Sequence, residues 1–172
     1  MITIKNIQNS ATVTDAGNTI TLGAGDSYTC SEPEEKLDFI FRIDTLGTNS
    51  FTLKTSLVGN FLVSWGDGQS DYAKNTITHT YANNGQYDVT VKGFCALRND
   101  SNDKLKIIEV KQWGKIVRNQ SVGIFQDNTN LTTFPTNETF VVDGDIRRGF
   151  KGVQFLNFPL FDVAGATNLR DL

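Results

Sequence analysis

The chain has 172 residues, a net charge of −3 from 16 basic and 19 acidic side chains, and one histidine. Charges of both signs are interspersed with no basic run, which excludes the footprint of a nucleic-acid-binding protein. No stretch approaches the roughly 20 apolar residues of a membrane-spanning helix, so no membrane span is expected.

At this length about two thirds of the unfolded surface is buried on folding, and disulfide staples are not required. The two cysteines, Cys30 and Cys95, lack metal-ligand spacing and are expected as free thiols. Residues 1–36 read as an N-terminal β segment. MITIKNIQNSATV alternates apolar and polar residues and lacks the basic start and long apolar run of a secretory signal. Turn clusters at Asp15-Ala16-Gly17-Asn18 and Gly23-Ala24-Gly25-Asp26 separate short Thr-rich strands, predicting a small meander or an extra strand pair. Their cadence resembles short β segments of tailed-phage structural proteins. The polar stretch Ser31-Glu32-Pro33-Glu34-Glu35-Lys36 is the predicted linker.

Residues 37–95 carry the clearest pattern. Phe39, Phe41 and Ile43 are expected inward, Ile40 and Arg42 outward, with Phe51 and Leu53 opening the next strand after a turn centred on Gly47. FLVSWGDG at 61–68 is answered by ITHTYANNGQYDVTVKG at 77–93. Phe61, Val63 and Trp65 alternate with Leu62 and Ser64. Ile77, His79 and Tyr81 alternate with Thr78 and Thr80, and Tyr87, Val89 and Val91 with Asp88, Thr90 and Lys92. Period two means strands with one face in a core. Asp67-Gly68 and Asn84-Gly85 tolerate positive φ and predict tight turns between antiparallel strands.

The motif residues Trp65, Gly66, Asp67, Gly68, His79, Tyr81, Gly85, Tyr87, Val89 and Val91 resemble a PKD domain in order and spacing. That family combines a Gly-Asp-Gly turn beside an aromatic residue, a His-x-Tyr and a Gly-x-Tyr-x-Val ending. The match covers about a third of the chain. It implies an immunoglobulin-like β-sandwich with a spacer or adhesion role, and fold alone licenses no chemistry.

Residues 96–172 are expected as a bridge and partial repeats. LKIIEVKQWGKIV is rich in β-branched residues and is predicted to be strand. IFQDNTNLTTFPTNETFVVDGDIRR at 124–148 lies over GFKGVQFLNFPLFDVAGATNLRDL at 149–172, pairing Phe125 with Phe150, Leu131 with Leu156 across one gap, and Ile146 with Leu169. The two Phe-Pro pairs are 159 − 135 = 24 residues apart. A period in the twenties, with Leu and Phe at fixed offsets, belongs to the range of leucine-rich repeats, whose units bury their apolar faces by stacking. The pattern resembles the BspA-like type, in which a short helix ending in phenylalanine precedes a segment such as NLTTFP. A PKD-like module followed by such repeats is similar to the order in bacterial surface and phage virion proteins. The next unit's phenylalanine falls due at Leu172, suggesting an array that is truncated or continued by another subunit.

Candidate chemistry is sparse. Asp67, with Asp71 and Asp88 nearby, has the groups to hold calcium or a sugar hydroxyl, but no D-x-D-x-D-G loop occurs and an Asx turn is the commoner use. His79 alone makes neither a zinc site nor a serine triad and is expected to form a structural hydrogen bond. Ser121, Cys95 and the Glu32–Glu35 cluster have no base, nucleophile elbow or phosphate loop around them. No catalytic residue, metal ligand or cofactor is therefore expected. Seven of the twelve phenylalanines lie from Phe125 onwards, most of them expected as repeat core, with Phe155, Phe158 and Phe161 as candidate interface residues.

The functional expectation is a non-enzymatic structural protein of a tailed-bacteriophage virion, a tail, fibre or capsid-decoration component acting through protein–protein contacts. It would be located in the virion, as a homo-oligomer or part of a lattice, with other virion proteins or host-surface molecules as partners. The alternative is a bacterial cell-surface adhesin fragment binding glycan or protein.

Overall fold

A computed structural model of the protein describes residues 2–5, 11–15, 18–22, 27–30, 38–55, 61–73, 76–92, 103–114, 123–145, 147–157 and 159–168. They are mainly β, and the helical structure among them is one 3-10 turn at Lys104–Lys106. The chain divides into two compact units, Met1–Glu35 and Lys36–Leu172. Residues 37–95 and 96–172, distinguished by sequence, thus fall within one unit.

In the first unit, β1 (Ile2–Lys5) pairs antiparallel with β4 (Ser27–Cys30), and β2 (Ala11–Asp15) with β3 (Asn18–Leu22). Asp15 lies opposite Asn18, and Ala16 and Gly17 of the predicted turn lie outside the described residues. β2 and β3 are the extra pair of strands that the Thr-rich alternation suggests.

The second unit opens with β5 (Phe39–Asp44), β6 (Ser50–Lys54), β7 (Phe61–Ser64), β8 (Ser70–Ala73), β9 (Thr76–Thr80) and β10 (Gln86–Lys92), and continues through β11 (Ile107–Gln112). A five-stranded antiparallel sheet has the order β11-β5-β10-β7-β8, and β6 pairs with β9 in a second, two-stranded sheet. The alternation does what period two requires. Phe39, Phe41 and Ile43 are buried while Ile40 and Arg42 are half-buried on the other face. Phe51 and Leu53 answer from β6, and the Phe41 and Phe51 rings meet at 5.8 Å between centroids. Phe61, Val63, Trp65, Tyr81, Val89 and Val91 complete this core. Full burial of such side chains stabilises by about 1.5–3 kcal/mol each.

The two predicted turns behave differently. Asp67-Gly68 closes the β7–β8 hairpin, where the Trp65 amide donates to the Gln69 carbonyl at 3.0 Å. Positive φ falls on Gly66 (83°) and Gly68 (90°), leaving Asp67 outside the left-handed region. Asn84-Gly85 does not make a hairpin, because β9 and β10 belong to different sheets and neither residue has positive φ. The connection is an arch tied to the β5–β6 loop. Asn84 Oδ1 accepts from the Asn49 amide at 2.7 Å, and Thr45 and Gly85 exchange bonds of 3.0 Å. A dipeptide suited to a tight turn also suits any crossing that needs a short side-chain acceptor.

From β11 onwards the chain also pairs in parallel. Glu109 bridges Thr133, the Leu156 amide donates to the Thr132 carbonyl, and the Phe125 and Asp127 amides donate to the Gly149 and Lys151 carbonyls. Each pair is offset by 24 residues (133 − 109, 156 − 132, 149 − 125, 151 − 127). The spacing of the Phe-Pro pairs matches the offset of these bonds. On the other side of the coils, β12 (Thr139–Asp145) pairs parallel with β13 (Leu160–Asn168), in a register offset by 21 (160 − 139) to 23 (168 − 145) residues.

Two details differ from the sequence alignment. Phe155 rather than Leu156 packs inward against the aromatic cluster, as Leu131 does. Leu131 is fully buried and Leu156 is 81% exposed. Turns at Ile124–Asp127 and around Gly152 stand where the resemblance implies a short helix, and positive φ at Asp127 (56°), Arg148 (58°) and Gly152 (80°) is incompatible with helix propagation.

Candidate functional site

The WGDG and H-x-Y residues converge where the two sheets of the sandwich meet. Trp65 leaves β7 of the large sheet and is fully buried, while His79 and Tyr81 come from the end of β9 in the small sheet and are also buried. The rings form a continuous column. Trp65 stacks on His79 with centroids 4.9 Å apart and planes 5° from parallel, His79 meets Tyr81 edge-on at 4.6 Å, and Tyr81 stacks on Tyr87 at 3.9 Å.

The column is tied into the fold by hydrogen bonds. Asp67 Oδ1 accepts from the Gln69 amide at 3.0 Å, the expected Asx turn, and Oδ2 lies 2.8 Å from His79 Nε2. Tyr81 Oη donates to the Trp65 carbonyl at 3.2 Å, Trp65 Nε1 to Asp71 Oδ2 at 2.8 Å, and Tyr87 Oη to the Asn83 carbonyl at 2.8 Å. His79 has the hydrogen-bonding role expected of it, in contact with a carboxylate from the opposite sheet. Burial raises the pKa of Asp67, but the His79 bond and the Gln69 amide outweigh it and hold the carboxyl below its ordinary range. Burial pushes the Tyr81 hydroxyl well above its ordinary value, aided by the nearby Asp67 charge.

Gly66 and Gly85 serve this site in different ways. A Cβ on Gly66 would lie 2.6 Å from the Asp88 carbonyl oxygen, so the turn approaches β10 as closely as only glycine permits. At Gly85 the nearest atoms would belong to the Tyr87 ring at 3.8 Å, an ordinary contact, and its part is the main-chain bonding to Thr45.

Asp67, Asp71 and Asp88 do not converge. Asp88 lies on the outer face of the large sheet, gripped by Arg42 through bonds of 2.8 and 3.2 Å and by Lys111 Nζ at 2.7 Å. The Arg42 bond is the main influence holding the Asp88 carboxyl below its ordinary range, with Lys111 adding to it against the opposing effect of burial. Arg42 is raised reciprocally by Asp88. Among the described residues no group of three or more His, Cys, Asp and Glu side chains is placed to hold a metal ion. No described helix is long and apolar enough to cross a membrane.

The second region of interest is the aromatic interior of the parallel coils. Trp113 lies 4.2 Å from Phe140 and 5.6 Å from Phe134, and Phe150 meets Phe125, Phe134, Phe140, Phe155 and Phe161 within 5.9 Å. Phe155 and Phe161 are half-buried against this cluster, and Phe158 lies outside the described residues. Among the described residues of these coils, the most exposed large apolar side chains are Leu156 (81%), Val141 (57%) and Leu160 (52%).

Sequence reasoning missed the polar framework beneath. Asn128 is fully buried: its Oδ1 accepts from the Asn130 and Leu131 amides, and its Nδ2 donates to the Ile107 carbonyl at 3.0 Å. One coil later, the Asn157 amide bonds both the N–H and the C=O of Phe134. The asparagines beside the Leu and Phe positions were the available signal. Neither family models, curated proteins nor solved structures yield a match to the chain.

Proposed function

We propose that the protein is a non-enzymatic structural protein acting through protein–protein contacts, of the kind built into tailed-bacteriophage virions as a tail, fibre or capsid-decoration component. Its parts are an N-terminal β segment, a PKD-like sandwich and a short leucine-rich-repeat-like stack. The observation that carries this reading is the use made of the motif residues. Asp67, His79, Trp65 and Tyr81 bond to one another, to the main chain and, through Trp65 Nε1, to Asp71, clamping two sheets together. A side chain held in this way supplies shape and rigidity, whereas a reactive group needs an open position beside it.

The contact surface in this reading is the outer side of the coils around Leu156 and Leu160, where exposed leucines flank the half-buried Phe155 and Phe161. Cryo-microscopy of the native assembly should place the chain at a repeated lattice position with Leu156 at a contact. An isolated monomer with no lattice partner would overturn the proposal.

Tyr72 favours the second reading, a cell-surface adhesin. It is 79% exposed on the edge strand β8, and an open aromatic ring is a stacking platform for a sugar. A glycan array with a saturable ligand, abolished by Tyr72→Ala, would select that reading.

A further inference from the structure

Among the described strands, β6 pairs with β9 alone. Along its other side, at Ser50 and Thr52, stands an ion pair where a strand would be. Lys106 Nζ donates to the Ser50 carbonyl at 2.7 Å, and Asp103 Oδ2 accepts from the Thr52 amide at 2.7 Å. The two side chains are themselves joined, Lys106 Nζ to Asp103 Oδ1, at 2.7 Å. Their side chains are 7% and 17% exposed, so the pair is inserted against the sheet edge rather than lying on the surface. The 3-10 turn holds them in place, since the Lys106 amide donates to the Asp103 carbonyl at 2.9 Å.

Together the ammonium and the carboxylate supply the donor and the acceptor that a neighbouring strand would present to these two main-chain groups. An uncovered edge is a template for pairing with another chain, and buried or inward-pointing charge is one way of closing it.

The groups covered are also self-complementary. In an antiparallel pairing of two β6 strands with Phe51 opposite Phe51, the Ser50 carbonyl of each copy would accept from the Thr52 amide of the other. That arrangement has twofold symmetry, and in each copy the ion pair now occupies two of the groups it would use, the Ser50 carbonyl and the Thr52 amide. The sequence of β6, SFTLK, has the β-branched and aromatic content that favours such pairing.

We propose that the Asp103–Lys106 ion pair is a built-in strand surrogate that closes the β6 edge against a second copy of this chain. The inference does not rest on the functional reading above, which places contacts at the coils. It assigns β6 as a latent homotypic interface.

The test uses the full chain carrying Leu156→Asp, which silences the coil surface, with and without Asp103→Ala and Lys106→Ala together. Hydrogen exchange of the Thr52 amide is followed as protein concentration is raised, alongside sedimentation velocity. With the pair intact, Thr52 should be protected at every concentration. Without it, exchange should accelerate on the order of tenfold in dilute protein and slow again at high concentration as a dimer forms.

A folded double variant that stays monomeric, or one whose Thr52 amide remains protected when dilute, overturns the proposal. Should the double variant fail to fold, Lys106→Met, which keeps the length of the side chain but frees the Ser50 carbonyl, decides it. A dimer with β6 protected on association supports the surrogate, and a monomer at all concentrations refutes it.

Discussion

In the sandwich, Phe39, Phe41 and Ile43 reach the core from alternate positions of one strand, whereas in the coils Phe125, Phe134, Phe140 and Phe150 come from four separate places along the chain. The first arrangement follows from the pleat, which turns every second side chain inward. The second follows from stacking, which brings residues 24 apart into register and lets isolated aromatics gather in one cluster. β11 belongs to both, pairing antiparallel with β5 and bonding in parallel to residues 132 and 133. A shared strand predicts that the two regions lose structure together.

The sharpest test is a pair of large-to-small substitutions. Trp65→Ala in the sandwich and Phe150→Ala in the coils each remove a buried ring and should cost about 3–5 kcal/mol in urea unfolding. If the regions are coupled through β11, each variant should show one transition, shifted for probes of both. Separate transitions would break the comparison into two independent bodies.

Asp67→Asn comes next, with an expected cost of about 1.5–3 kcal/mol from a hydrogen bond to a charged group. The effect depends on pH in a defined direction. Because the folded pKa of Asp67 is depressed, its contribution is complete above the unfolded value near about 4 and is lost as pH falls through the lower folded value. The variant should therefore converge on the wild type in acid. A difference that persists unchanged below that range would remove the carboxylate from the explanation.

Asp88→Asn should cost less, about 1 kcal/mol or below, since Asp88 and Arg42 are partly exposed and the pair is screened. Added salt should shrink its effect while leaving those of Trp65→Ala and Phe150→Ala unchanged. Smallest of all, Leu156→Asp should alter stability by no more than about 0.5 kcal/mol, because its side chain faces solvent. Its consequence should be seen in sedimentation as weakened self-association; destabilisation without that change would place Leu156 in the core.

Much of the sandwich was legible because period two is a local property, readable within five or six residues. The turn at Asp67 and the inward face of His79 were legible for the same reason. The 24-residue offset could be read because the Phe-Pro pair repeats, yet its fine register was misplaced by one residue. Leu131 and Leu156 are the same residue type, and a gap placed to align them hid the fact that Phe155 is the one that packs inward. Asn84-Gly85 shows another limit. Its composition indicated a turn but not whether that turn joins strands of one sheet or crosses between two.

The sequence alone determined the β class, the inward faces of β5, β6, β7 and β10, and a period near 24, because each is written in the spacing of side chains along the backbone. Only the tertiary structure decided that Asp67 meets His79, that Asn128 lies beneath the coils, and that Asp103 with Lys106 completes the edge of β6. These partners are separated by between 12 and 56 residues, and polar side chains carry no periodic mark of the group they will bond. Their pairing is dictated by which buried donors and acceptors the packed sheets leave unsatisfied.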